Sequence, residues 1–154
     1  MSVSVEGVEE VTTMLKGLAD LPQEGISYIR LASSAKTIIT KRTKSGIDAS
    51  GQTFSPYSDK YLEYKVEKSL TGSGRVTLVE SGNMLSAMTP QKTAKGSRLF
   101  FVDSLDDIEA KKARRHDSGL SGMPQRQFFA IAEPEADVLM KQAEKDIDVF
   151  MGKL

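Results

Sequence analysis

The sequence predicts an α+β domain with leading N-terminal helices, a small antiparallel β-sheet and a closing C-terminal amphipathic helix. Three observations carry this prediction. Near the start, Val5, Val8, Val11, Leu15 and Leu18 recur at three- and four-residue steps, the period of a helix face. In the middle, Arg98-Leu99-Phe100-Phe101-Val102 is a short apolar run of strand length. Near the end, Ala136, Leu139, Met140, Ala143, Ile147, Phe150 and Met151 form one continuous apolar stripe.

The chain has 154 residues, which suits a single domain spanning 1–154 with one hydrophobic core. A hydrophobic fraction of 39% against 27% charged residues is that of a globular protein. Basic and acidic residues both number 21, so the formal net charge is zero. A protein dedicated to wrapping nucleic acid is usually basic overall, because phosphate neutralisation drives that binding. The absence of cysteine closes disulfide, zinc-finger and thiol-nucleophile chemistry. No apolar run is long enough to span a bilayer. The opening Met1-Ser2-Val3-Ser4-Val5-Glu6 lacks the basic and apolar regions of a signal peptide. Both features predict a protein made and kept in a cytoplasm, away from membranes.

The first helix is expected over Val5–Ala19, with Leu21-Pro22 breaking the chain. A second is expected over Glu24–Arg42, with Ile26, Ile29, Ala32, Ala35 and Ile39 on one face. Lys41, Arg42 and Lys44 at its end suit the negative pole of the helix dipole, and Gly46 stops it. Residues 45–56 read as a loop punctuated by Gly46, Gly51 and Pro56. Ser58-Asp59 caps a short helix carrying Tyr61, Leu62, Tyr64, Lys65 and Val66. Thr71-Gly72-Ser73-Gly74 is a flexible connector, and Val76–Val79 reads as extended.

Residues 82–88 suit one or two helical turns with Met84, Leu85 and Met88 on one side. Lys92–Asp103 reads as a hairpin turning at residues 94–97. Ser104 with Asp107 resembles a capping box for a polar helix over Leu105–His116. Asp117–Pro124 is a loop, and Gln127–Ile131 is an apolar, buried segment. Pro134 suits the first position of the last helix, whose polar face carries Glu135, Asp137, Lys141, Glu144, Lys145 and Asp148.

No convergent catalytic set emerges. The single histidine lies in His116-Asp117-Ser118-Gly119, where triad residue types are sequence neighbours and do not meet from separate segments. No Gly-x-Ser-x-Gly elbow accompanies them. Asp103, Asp106, Asp107 and Glu109 lack the alternating oxygens and central glycine of a calcium loop, and helix capping accounts for Asp106 and Asp107. Gly72-Ser73-Gly74-Arg75 lacks the Gly-Lys-Ser/Thr ending of a phosphate loop. These readings predict no enzyme activity, no cofactor and no metal.

Lys111, Lys112, Arg114 and Arg115, with Arg126 beyond, make the densest basic cluster. It is either a solvated helix face or a DNA-facing patch. Zero net charge and the lack of interleaved aromatic residues favour the solvated face. Met14, Met84, Met88, Met123, Met140 and Met151 fall at core spacings, with adaptable subunit contact the alternative near loops, at Met123 above all.

Two stretches are more specific. The first runs Arg42-Thr43, then Gly46-Ile47-Asp48-Ala49-Ser50-Gly51-Gln52-Thr53-Phe54-Ser55-Pro56-Tyr57-Ser58, closing on Tyr61 and Lys65. The second runs His116-Asp117-Ser118-Gly119, then Gly122-Met123-Pro124-Gln125-Arg126-Gln127-Phe128-Phe129. Between them lies Leu78-Val79-Glu80-Ser81-Gly82-Asn83-Met84-Leu85. In this order, over about residues 38–131, the sequence resembles the phage virion morphogenesis family. That family includes the tail-completion proteins of Mu-like and P2-like phages. The sequence departs from it at Glu109–Arg115, where the family is aromatic-rich, and at Ser81-Gly82-Asn83, where Thr-Gly is commoner.

The resemblance implies a structural assembly role at the head–tail junction, completing the tail or neck through protein–protein contacts. It implies residence in the virion after assembly in the host cytoplasm. The implied partners are portal or connector, tail-terminator and tail-tube proteins, with packaged DNA only in passing and no membrane. By analogy it also implies a homo-oligomeric ring, a hexamer, closed by heterologous contacts. The candidate interface residues are Gly51, Phe54, Pro56, Tyr57, Tyr61, Met123, Pro124, Arg126 and Phe128. Met123-Pro124 is expected to turn Arg126 outward, toward a carboxylate of its own subunit or a neighbour's, and Phe128 or Phe129 inward. For these residues fold anchor and interface anchor both stand open. The competing reading is a nucleic-acid-binding module that uses Lys111, Lys112, Arg114 and Arg115.

Overall fold

A computed structural model of the protein describes residues 26–68, 74–93, 96–101 and 108–153. The helix expected over Val5–Ala19, the capping box at Ser104 and Asp107, and Asp103 and Asp106 lie outside them. The described elements are α1 (Tyr28–Lys44), α2 (Asp59–Glu67), α3 (Asn83–Ser86), β1 (Met88–Thr93), β2 (Gly96–Phe101), α4 (Ile108–Ser118) and α5 (Glu133–Met151). This is the α+β class with a two-stranded antiparallel sheet and a C-terminal helix.

β1 and β2 pair from Met88 opposite Phe101 to Thr93 opposite Gly96. The hairpin therefore starts at Met88, four residues earlier than expected. Pro90, opposite Leu99, disguised the first strand. In a two-stranded sheet both strands are edges, so a missing N–H is tolerated. Side chains alternate across β2: Leu99 and Phe101 face the core, while Arg98 lies over the Phe100 ring at 4.5 Å on the other side.

α1 covers both strands and also packs against α5. It buries Leu31, Ala32, Ala35 and Ile39. Ile29, expected on that face, is 41% exposed, because the stripe through Ile39, Ala35, Ala32 and Leu31 continues to Tyr28, one residue round the helix from Ile29. α5 buries Ala136, Leu139 and Ala143 against α1, with Met140 and Ile147 half-buried. Met151, expected in the stripe, is 55% exposed, since the helix outruns its partner. Glu135, assigned to the polar face, turns inward, where Oε2 accepts the Ala132 N–H at 2.8 Å and pairs with Arg42. Asp146 is also buried, paired with Arg30 and accepting the Ser27 N–H.

Residues 76–79 are not a strand. Val76 and Leu78 are buried in an irregular segment, and Leu78 has φ 51°, outside the β region. α4 runs through Ser118, so the loop expected from Asp117 begins two residues later. Met84, Leu85 and Met88 are buried together, as their spacing suggests. Among the described residues no helix is long and apolar enough to cross a membrane.

Candidate functional site

The first of the two long stretches begins at the end of α1. Gly46 takes φ +76° there, and a Cβ would lie 2.9 Å from the Val76 carbonyl. Residues 46–54 fold back on themselves. The Phe54 N–H meets the Gly46 carbonyl at 3.0 Å, and Ile47 bridges Thr53. Asp48 closes the loop, its Oδ1 accepting from Ser50 N, Ser50 Oγ and Gln52 N at 2.7–2.9 Å. Phe54 is buried beneath this loop, and Gly51 (φ +83°) is exposed at its tip.

Two arginines tie this stretch to the one around residues 116–129. Arg42 Nη2 donates to the carbonyls of Phe128 and Ala130, each at 2.7 Å, and Nη1 pairs with Glu135. Arg42 is therefore a structural clamp rather than a solvated cation at the helix end. In the other direction, Arg126 Nε donates to Ser55 O at 2.9 Å and Nη2 to Pro56 O at 2.8 Å. The Ala49 N–H adds a bond to Gln127 O at 2.9 Å. Asp117 holds the second stretch from below, its Oδ1 accepting the N–H groups of Phe128 at 3.0 Å and Phe129 at 2.9 Å. Phe128 is fully buried and meets Phe101 edge-on at 6.2 Å, while Phe129 lies 5.1 Å from Phe101.

Arg126 does not point outward: the residue is only 3% exposed. The carbonyls of Ser55 and Pro56 draw it in. Its guanidinium carbon lies 5.2 Å from the centroid of the Tyr57 ring, and Lys65 Nζ lies 5.0 Å from the same centroid. Tyr57 in turn meets Tyr61 at 4.9 Å, and Tyr61 meets Tyr64 at 6.0 Å, so a row of rings runs along α2. Ser58 caps that helix by accepting the Tyr61 N–H at 3.3 Å.

These groups form one wall of a cleft of about 410 Å³. The first stretch supplies Tyr57, Ser58 and Tyr61. The middle stretch supplies Leu78, Val79, Glu80, Ser81, Gly82 and Met84. The last supplies His116, Gly122, Met123, Pro124 and Arg126. Only Glu109 and Lys112 come from elsewhere, and they pair with each other at 3.0 Å.

The electrostatics follow from burial. Burial pushes the Tyr57 hydroxyl above its ordinary value, against the pull of Arg126 and of backbone hydrogen bonds from Leu78 and Thr77. Burial also raises Tyr61, helped by Glu80. Arg126 is lowered by burial and partly restored by the two tyrosines. His116 falls to about 4, through burial first and the Arg126 charge second. Its buried Nδ1 has no hydrogen-bond partner among the described residues. Among the described residues no group of three or more potential ligands could hold a metal.

Of the predicted interface residues, the cleft gathers Tyr57, Tyr61, Met123, Pro124 and Arg126. Pro56 lies beside it through its carbonyl. Phe54 and Phe128 belong to the core, and Gly51 sits at a separate loop tip. Lys111, Lys112, Arg114 and Arg115 are exposed along α4, with only Lys112 reaching the cleft. No local pattern in the sequence assigns a partner to Arg42, Asp117, Lys65 or Glu135. The available signal is the apolar run from Phe128 to Ile131, whose buried backbone groups outside any helix or strand must find side-chain partners. Comparison with protein-family models, with curated proteins and with solved structures finds no match for this protein.

Proposed function

We propose that this protein is a structural assembly protein of a tailed-phage virion, completing the tail or neck at the head–tail junction through protein–protein contacts, and not an enzyme. One observation carries the reading. The three stretches that resemble the virion morphogenesis family, far apart in sequence, supply every residue lining one cleft except Glu109 and Lys112. A packing-only explanation accounts for Phe54 and Phe128 but not for Tyr61, Glu80, Met123 and Pro124, which lie at a surface opening. In this reading the cleft is the docking face for a neighbouring subunit or for a portal, connector, tail-terminator or tail-tube protein.

Light scattering of the purified protein over a concentration range tests the ring. The expected result is a discrete mass near about six times the 16.8 kDa subunit, the size of a closed cyclic assembly. A monomer at every concentration overturns the self-assembling ring.

One observation favours a second reading, a nucleic-acid-binding module. The side chains of Lys111, Lys112, Arg114 and Arg115 are all exposed on the single helix α4. Duplex DNA binding that falls steeply with salt and is lost on replacing these four residues by glutamine supports it. Absent or salt-insensitive binding ends it.

A further inference from the structure

We propose that the cleft between α2 and α4 is a carboxylate-binding site, with Arg126 as the receiving group. The proposal rests on the docking reading above and names its chemistry. A guanidinium has two forked edges that match a carboxylate. The edge formed by Nε and Nη2 of Arg126 is occupied, because these atoms donate to the carbonyls of Ser55 and Pro56. The end-on edge, Nη1 with the second hydrogen of Nη2, meets no acceptor among the described residues, and Arg126 lines the cleft.

A buried cation ordinarily lies against a carboxylate, because burial without a counter-charge is costly. Arg42 follows that rule, with Glu135 as its partner. Arg126 does not: two carbonyls and the Tyr57 ring hold it in place, and among the described residues no carboxylate pairs with it. Of the two acids in the cleft wall, Glu109 pairs with Lys112, and Glu80 is exposed at the rim. Leu78, Met84, Met123 and Pro124 supply apolar surface for the carbons next to an incoming carboxylate. Asp and Glu side groups and the free C-terminus of a polypeptide share this chemistry.

The test titrates the isotope-labelled full-length protein, followed by amide and Arg Nε–Hε NMR signals. The probes are acetyl-Leu-Glu-amide, acetyl-Ala-Leu with a free C-terminal carboxylate, acetyl-Leu-Gln-amide and inorganic phosphate. Saturable binding of either carboxylate probe, with none for the glutamine peptide, supports the site and tells which source it prefers. Arg126→Lys, if it keeps the wild-type fold, weakens that binding about tenfold or more, because lysine has no planar fork. Glu80→Gln, at the exposed rim, tightens it about two- to fivefold by removing a competing acid. No saturable carboxylate binding to either the wild-type or the Glu80→Gln protein overturns the proposal. So does phosphate binding tighter than both peptides, which would transfer the site to nucleic-acid backbones. If Arg126→Lys fails to fold, unchanged or weaker binding by Glu80→Gln overturns it. The scattering mass keeps the two readings apart: a ring that binds no carboxylate ends this inference alone, and a monomer that binds one ends the self-assembling ring alone.

Discussion

The carboxylate of Asp117 accepts the backbone N–H of Phe128 at 3.0 Å and, with the same oxygen, that of Phe129 at 2.9 Å. A side chain at the end of α4 thus satisfies two amides in a buried segment that belongs to no helix or strand. Burial raises the Asp117 carboxyl above its ordinary value, while the two N–H groups and Arg42 pull it down. Two effects separate on substitution. Asp117→Ala leaves two buried amides without acceptors and is expected to cost about 1–3 kcal/mol. Asp117→Asn keeps an oxygen acceptor and removes the charge that burial penalises, so it should stay within about 1 kcal/mol of wild type. Urea unfolding at neutral pH checks both. Equal losses would show that the charge, and not the acceptor, is what matters.

Arg42 makes the complementary connection from the other side. Its guanidinium serves Phe128 O, Ala130 O and Glu135 together, and the side chain is 9% exposed. Arg42→Ala leaves a carboxylate and two carbonyls without their donor, with an expected loss of about 3–5 kcal/mol. Arg42→Lys should fall between the two, since one ammonium cannot span three acceptors in a plane. Chemical denaturation of the three proteins gives the ranking. A lysine variant as stable as wild type would mean that charge alone suffices.

Gly46 and Gly51 offer a controlled comparison within one loop. Both have positive φ, +76° and +83°. A Cβ at Gly51 meets nothing within 4 Å, so Gly51→Ala carries only the left-handed backbone strain, about 1–2 kcal/mol. A Cβ at Gly46 meets the Val76 carbonyl at 2.9 Å and Arg75 Cγ at 3.0 Å, so Gly46→Ala adds an overpacking cost of about 1–3 kcal/mol. Thermal melts of the two variants measure the difference. Equal shifts would mean that the 74–76 segment yields to the new methyl.

Periodicity identified α1, α5 and the turn carrying Met84 and Leu85, because burial of one face is written into the spacing of apolar residues. It misjudged residues whose burial depends on a distant partner. Ile29 reads as core and is exposed; Glu135 reads as part of the polar face and turns inward to Arg42. Arg126 reads as turned outward toward a carboxylate and Arg42 as a cation at the helix dipole, because no local pattern shows that Ser55, Pro56, Phe128 and Ala130 turn their carbonyls toward them. The hairpin's first four residues, 88–91, carry no strand pattern, and Pro90 among them cannot donate to a ladder. The cleft was legible only as three stretches in a fixed order. That they share one wall is a property of the tertiary fold.

His116 allows the most direct check of the cleft's electrostatics, because it is the only histidine and gives one imidazole signal set. Burial and the Arg126 charge lower its pKa from 6.5 to about 4, both by opposing the imidazolium. The unfolded protein takes up a proton near pH 6.5, and the folded protein resists until about pH 4. The neutral histidine's contribution to stability is therefore fully present above pH 6.5, declines as pH falls between these values and is gone below pH 4. Asp117 acts with the opposite sign: its raised pKa favours the fold at low pH, and that contribution is lost as pH rises through the raised value. The quantity to read is thus the wild-type minus His116→Phe difference in unfolding free energy, which should shrink steadily from pH 6.5 toward pH 4. An NMR titration of the imidazole should show a neutral ring throughout that range down to its lower end. A midpoint near 6.5 would mean that the His116 ring is open to water and that Arg126 does not lie against it.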